Sequence, residues 1–276
     1  MGYLGAVSSS GLRIETRTSG IWQTNSVVLS SAGQVVVVDP AFFPRELDEL
    51  AALAAAGGAR VIVVFTHGHW DHVAGWRHFP GARVCGSAAL AEAVAQGGAE
   101  ARRNLEQLRD FDGRWYVPRT APAAWPPRID ALCDGEQLQV GPVALGALAL
   151  PGHSADGLAL WLETEGLLLP GDYLSPCEIP FVEDLAAYRG TLERLRALLP
   201  EVRRVIPGHG PELDGAAAAA ILDGDVAYLD ALARCVARGD TAAALGLPLP
   251  RAADVPGMAE WHRKNCSAVG LDGDGA

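Results

Sequence analysis

Lysine is almost absent. Lys264 is the one lysine among 22 basic residues, which face 33 acidic ones and leave a formal net charge of −11. A chain this acidic repels a phosphate backbone at long range, so no nucleic-acid partner is expected. Long apolar runs are also missing: stretches such as 216–222 fall far short of the roughly 18 residues that cross a bilayer, and no membrane partner is expected either. The N-terminal MGYLGAVSSSGLRIETR has no basic start followed by an apolar core, and Ala6 spoils a myristoylation signal. A cytoplasmic location follows as the expectation. Cysteine is scarce and unpatterned: Cys85, Cys133, Cys177, Cys235 and Cys266 form no Cys-x-x-Cys. They read as reduced, mostly buried thiols rather than a disulfide framework.

What the chain does have is core. Its 276 residues are 49% hydrophobic and 20% charged, the balance of an ordinary globular protein. A chain of this length can bury roughly 75% of its unfolded surface. Apolar, β-branched runs predict strands at 26–29 and 34–38, which form a hairpin, and at 60–65 and 83–85. A second batch follows at 137–140, 143–150, 158–162, 167–169 and 202–206. Helices are predicted at 44–56, with Pro44 in the first turn, at 87–96, capped by Ser87, and at 184–199 and 215–238. Two batches of strands interleaved with helices predict an α/β protein in which two mixed sheets pack face to face with helices outside. No linker divides it, so residues 1–276 read as a single domain. It carries an irregular insertion at about 97–128, helical over 99–109, and a short helical extension after about 212. The insertion has the length of a lid.

The strongest signal is a repeated strand ending. The strand at 60–65 runs into Thr66-His67-Gly68-His69-Trp70-Asp71-His72. Three later strands end in Pro151-Gly152-His153, Pro170-Gly171-Asp172 and Pro207-Gly208-His209. Each apolar strand stops at a tight turn that presents an imidazole or a carboxylate. Five of the seven histidines lie in these turns; His78 and His262 lie outside and read as surface or capping residues. Neutral imidazole together with carboxylate suits Zn²⁺, Fe or Mn. A catalytic zinc uses about three protein ligands, so seven groups exceed one ion. His67, His69 and His153 are assigned to one metal, Asp71, His72 and His209 to the other, and Asp172 to a bridge. Two divalent ions are therefore the expected cofactors, zinc first, with iron or manganese as alternatives. Two dications balanced by two aspartates and a hydroxide leave a weakly positive centre suited to Lewis-acid work.

The HxHxDH run at His67 to His72, followed in order by His153, Asp172 and His209, resembles the metallo-β-lactamase fold superfamily over roughly residues 20–212. That resemblance implies the αβ/βα four-layer sandwich with the metals at one edge. It also implies that Asp39, at the end of Val35-Val36-Val37-Val38-Asp39, supports the metal loop from behind the ligands. The superfamily includes glyoxalase II-type thioesterases, lactonases, phosphodiesterases and nucleases, β-lactamases and iron persulfide dioxygenases, and fold does not choose among them. The zinc β-lactamases have a different second-site pattern and a secretory signal, and glyoxalase II adds a basic C-terminal domain for glutathione. Here the basic groups in that region are few, Arg251, Arg263 and Lys264 among them. The lactonase tyrosine has no clear match, since Tyr173 directly follows Asp172. The expectation is a dinuclear hydrolase of a small acyl ester, thioester or lactone. The alternatives are a phosphodiesterase or nuclease of the same fold, a mononuclear iron dioxygenase, and a metal-stabilised protein without catalysis. Asp71 is expected to orient the attacking hydroxide and take its proton. Trp70 and Tyr173 are expected to touch substrate, and Trp22, Trp115, Tyr116 and Trp125 to extend an apolar wall.

Overall fold

The computed structural model describes residues 11–252, 255 and 257–271. Its first sheet runs in the order β1 (Arg13–Thr18), β2 (Asn25–Ser31), β3 (Gly33–Val38), β4 (Gly58–Val64), β5 (Arg83–Ser87) and β6 (Asp130–Leu132). Its second runs β12 (Leu213–Asp214), β11 (Arg204–Val205), β10 (Leu167–Leu169), β9 (Leu158–Leu162), β8 (Val143–Ala149) and β7 (Gln137–Val140). Both sheets are mixed, as expected. β3, β4, β5 and β6 pair in parallel, and β10 pairs parallel with β11, while the remaining neighbours are antiparallel.

Strands buried on both faces explain the continuous valine runs. In β3, Val36 and Val38 join the layer between the sheets, where they meet Leu145, Leu160 and Leu169 of the second sheet. Val35 and Val37 point the other way, onto Leu47, Leu50 and Ala54 of helix α1 (Pro44–Gly57). On the far side, Ala159, Leu168 and Val205 pack beneath α5 (Leu185–Leu198) and α6 (Gly215–Arg238). Both helices start on an aspartate cap: Asp184 accepts from the Ala187 N–H and Asp214 from the Ala217 N–H. The result is the helix–sheet–sheet–helix order of the expected sandwich.

Three strands lay outside the sequence reading. β1 is a half-buried edge with charged residues, while β6 and β12 are two or three residues long, too short to show a period. The stretch 97–128 is more regular than expected: α4 (Ala99–Trp115) carries the helix six residues beyond 109, to an abrupt left-handed stop at Tyr116. After α6 come α7 (Thr241–Leu245) and α8 (Met258–Ala268). Two shorter α-helices are α2 (Trp70–Val73) and α3 (Ala88–Ala95).

Candidate metal centre

Parallel pairing places the C-terminal ends of β3 and β4 side by side, and it does the same for β10 and β11. β8 runs in the same direction as β10, because two antiparallel pairings separate them. The turns after these strands therefore open at one edge. Backbone links join the two sheets there: the Leu158 N–H donates to Thr66 O at 2.7 Å and the Asn25 N–H to Gly208 O at 2.7 Å. The Asn25 side-chain amide donates to Pro207 O and Gly210 O, gripping the His209 turn from both sides.

Seven side chains converge at this edge in two overlapping groups. His67, His69, His153 and Asp172 form one; Asp71, His72 and His209 form the other. In the first group Nδ1 of His69 lies 3.0 Å from Nε2 of His67 and 3.0 Å from Nε2 of His153. In the second, Nε2 of His72 and Nε2 of His209 are 3.2 Å apart, and Asp71 Oδ2 stands 3.6 and 3.4 Å from them. Asp172 reaches into both, with Oδ2 3.4 Å from His67 and 3.2 Å from His153, and Oδ1 3.2 Å from His72. Two nitrogens each about 2.0–2.1 Å from one zinc at a tetrahedral angle stand about 3.3–3.4 Å apart, so these separations suit a shared cation.

The ring nitrogens facing away show why. His72 Nδ1 lies 3.1 Å from Asp39 Oδ2, and His209 Nδ1 lies 3.0 Å from the Trp22 carbonyl. His153 Nδ1 donates to the Phe181 carbonyl at 3.2 Å. The Thr66 hydroxyl donates to Asp39 Oδ2 at 2.6 Å and so accepts from His67 Nδ1 at 3.1 Å. For these four imidazoles the outward N–H is thereby fixed, which leaves their inward nitrogens as bare lone pairs. Buried Asp172 Oδ1 also accepts no hydrogen bond. Lone pairs and carboxylates gathered in this way repel unless a cation or protons lie between them. Burial works to lower the His209 imidazole, but Asp172 and Glu178 outweigh it and push it up to about 10. The pocket thus attracts positive charge, and the donor set fits two divalent metals.

Close approach demands glycine at one of the turns. A Cβ on Gly208 would stand 2.1 Å from Asp172 Oδ1 and 3.1 Å from the His72 ring.

The remaining expected residues divide. Trp70 packs against Trp22 at 5.3 Å, Phe42 at 5.2 Å and Phe111 at 5.0 Å, in an aromatic cluster beside the Asp71 and His209 half of the centre. Trp22 is half-exposed there. Tyr173 corrects the expectation of substrate contact: it is buried, and its hydroxyl donates to Pro151 O at 2.8 Å while accepting the His153 N–H at 2.9 Å. It holds the backbone of a ligand turn. Trp115 and Tyr116 do not close over the ligand cluster, for these residues are 59% and 90% exposed. Trp125 packs instead onto Phe65, and its indole N–H donates to Ala101 O at 2.7 Å. His262 is no surface residue; it is buried between the Tyr228 hydroxyl and the Ala244 carbonyl, at 2.8 and 3.0 Å.

Sequence reasoning missed the carboxylates at the rim. Glu183 Oε1 lies 4.0 Å from His69 Nε2, Glu100 of α4 joins that pair, and Glu178 stands 4.0 Å from His209 Nδ1. None belongs to a motif, and only folding brings them to the edge. The five cysteines are free, with Cys133 exposed and Cys177 half-buried. Among the described residues no helix is long and apolar enough to cross a membrane.

Residues 19–209 match the family profile of the metallo-beta-lactamase superfamily, and the chain belongs to that family. It is similar to a hydroxyacylglutathione hydrolase of Acidiphilium cryptum, 30% identical over 88% of this chain and 87% of the relative. It is also similar to the human acyl-coenzyme A thioesterase MBLAC2, 28% identical over 68% of this chain and 73% of that one. The matched share of a relative's own length falls to 29% in a Caenorhabditis elegans β-lactamase-like protein 2 homolog and to 26% in a metallo-beta-lactamase type 2 of Bacteroides fragilis. Among solved structures, the metallo-β-lactamase family protein TTHA1429 of Thermus thermophilus superposes with a TM-score of 0.66 over 97% of this chain and 96% of its own, at 24% identity. Superfamily and relatives are metallo-hydrolases, and the His and Asp cluster of this chain is able to bind metal.

Proposed function

We propose that the protein is a dinuclear metallo-hydrolase of small acyl esters, thioesters or lactones. The observation that carries this reading is the sharing of Asp172 between two histidine groups, which supports two metal positions side by side. His67, His69 and His153 would hold one ion and Asp71, His72 and His209 the other, with Asp172 between them. When bound, two such ions, zinc being the first choice, supply a hydroxide at neutral pH and polarise a carbonyl oxygen.

The chain's own groups do the rest. With the ions bound, the Asp71 carboxylate would orient the attacking hydroxide and would accept its proton. Asp39, Thr66 and the carbonyls of Trp22 and Phe181 keep the imidazoles in the tautomer that presents a lone pair inward. Trp22 and Trp70 offer the apolar surface against which a substrate's acyl part excludes water. No thiol is required: Cys177 bonds weakly to Ser175 at 3.4 Å, and burial pushes its thiol up, away from the reactive thiolate. The rim carboxylates Glu100, Glu178 and Glu183, added to the net charge of −11, disfavour a phosphodiester backbone. Thioesterase activity in the relatives supports the acyl class.

The test is a panel of acyl esters, thioesters, lactones and phosphodiesters, assayed with and without chelator, alongside metal analysis of protein purified without added metal. Chelator-sensitive turnover of an acyl substrate with two metals per chain is expected. Turnover of phosphodiesters alone, a single iron per chain, or chelator-resistant turnover blocked by thiol alkylation would overturn the reading.

A further inference from the structure

The family match ends at residue 209, yet the metal edge is held in place by a helix far beyond it. Asn265 lies on α8 and is 1% exposed. Its Oδ1 accepts the Val182 N–H at 2.9 Å, and its Nδ2 donates to the Pro180 carbonyl at 2.7 Å and to the Tyr228 hydroxyl at 3.0 Å. One side chain thus grips the backbone on both sides of Phe181. The Phe181 carbonyl between those two bonds is the acceptor for His153 Nδ1. Just downstream, the N–H groups of Glu183 and Asp184 donate to Gly152 O, immediately before His153. The loop is therefore tied to α8 on one side and to the His153 turn on the other. Trp261, one helical turn before Asn265, adds a second hold by stacking on the Phe181 ring at 4.1 Å and 17°.

We infer that Asn265 is a positioning residue for the metal group of His67, His69 and His153. It acts through Phe181, by aiming the carbonyl that orients the His153 ring. The physical case is geometric. A ligand imidazole keeps its inward lone pair only while its other nitrogen has a fixed acceptor, and such partners are worth about 10–100-fold in metal affinity. A backbone carbonyl in a loop is a fixed acceptor only if the loop is fixed. Two amide bonds across one residue, made by a buried side chain whose polar atoms are both used, supply that rigidity. The imidazoles of the other group do not depend on α8, since His72 leans on Asp39 and His209 on Trp22; within the first group His67 leans on Thr66, while His69 faces Glu183 of the clamped loop at 4.0 Å. The effect should accordingly fall on one metal position and spare the other. The inference rests on the two-metal reading above.

The experiment measures metal binding rather than turnover, so it stands whatever the substrate proves to be. Metal-free wild type, Asn265→Ala and Asn265→Asp are titrated with zinc against a chromophoric chelator, with melting temperatures recorded in parallel. Leu232→Ala serves as the stability control, because Leu232 packs in the same C-terminal cluster as Cys266 of α8 and its side chain makes none of the hydrogen bonds of the loop clamp. Asn265→Ala should weaken one of the two zinc sites by about 10–100-fold and leave the second unchanged. Leu232→Ala should melt lower and keep both affinities. Asn265→Asp keeps the acceptor for Val182 but loses the donor to Pro180, so it should weaken the same site, and it decides the matter if the alanine variant does not fold. Wild-type affinity at both sites in either Asn265 variant, or equal weakening in Leu232→Ala, would overturn the clamp alone. A wild type that holds fewer than two zinc ions would overturn the two-metal reading and the clamp with it.

Discussion

The Asp39 carboxylate stands 3.1 Å from Nδ1 of His72, on the side of the ring turned away from the other ligand groups. Asp39 also accepts the Thr66 N–H at 2.7 Å and the Thr66 hydroxyl at 2.6 Å. One buried carboxylate thus orients His72 directly and His67 through Thr66. Asp39→Ala should lower metal affinity by about 10–100-fold while the chain stays folded. Competition with a chelator reads this, and an unchanged affinity would mean that neither ring needs the support.

Asp172→Ala and Asp71→Ala should each cost one bound metal and at least about 10²-fold in turnover, the lower end of what a positioned proton acceptor contributes. Metal analysis and kinetics on the same preparation check both halves. Full turnover with one metal remaining would remove the case for a paired centre.

Cys177→Ala should leave turnover within about twofold of wild type, because a half-buried thiol pushed up by desolvation is a poor nucleophile. The residue lies five positions after Asp172, close enough that loss of activity on substitution would force a different mechanism.

Gly208→Ala should be among the most damaging single-methyl additions in the protein. The new Cβ would meet Asp172 Oδ1 at 2.1 Å, so the carboxylate or the turn must move. Loss of one metal without loss of the overall circular-dichroism spectrum is the expected result. Wild-type metal content would show that the turn yields freely.

Asp225→Ala tests the tie between α6 and the segment before α8. Asp225 is fully buried, and Arg251 meets it with both terminal nitrogens while donating through Nε to the Ser175 carbonyl. Removing the carboxylate leaves an uncompensated guanidinium that is mostly buried, at a cost of about 3–5 kcal/mol. Denaturant unfolding should show that loss, and a change below about 1 kcal/mol would mean that water replaces the carboxylate at Arg251.

The sequence alone carried the candidate metal-ligand set and most of the architecture. A strand that ends in a tight turn presents its next polar residue at the sheet edge whatever the rest of the chain does, so His67, His69, His153, Asp172 and His209 were readable locally. The valine runs of β3 and β4 likewise announced strands buried on both faces. What the sequence could not reveal were contacts whose partners lie far apart along the chain. Tyr173 sits beside a ligand in sequence and looked like a substrate contact, yet packing turned its ring inward to the Pro151 turn. Glu183, Asn265 and His262 carry no motif, and their roles arise where α8 docks beside the loop that follows β10. Local backbone chemistry decides which groups a turn can offer. Only the closing of the two sheets and the docking of the C-terminal helix decide which of them meet.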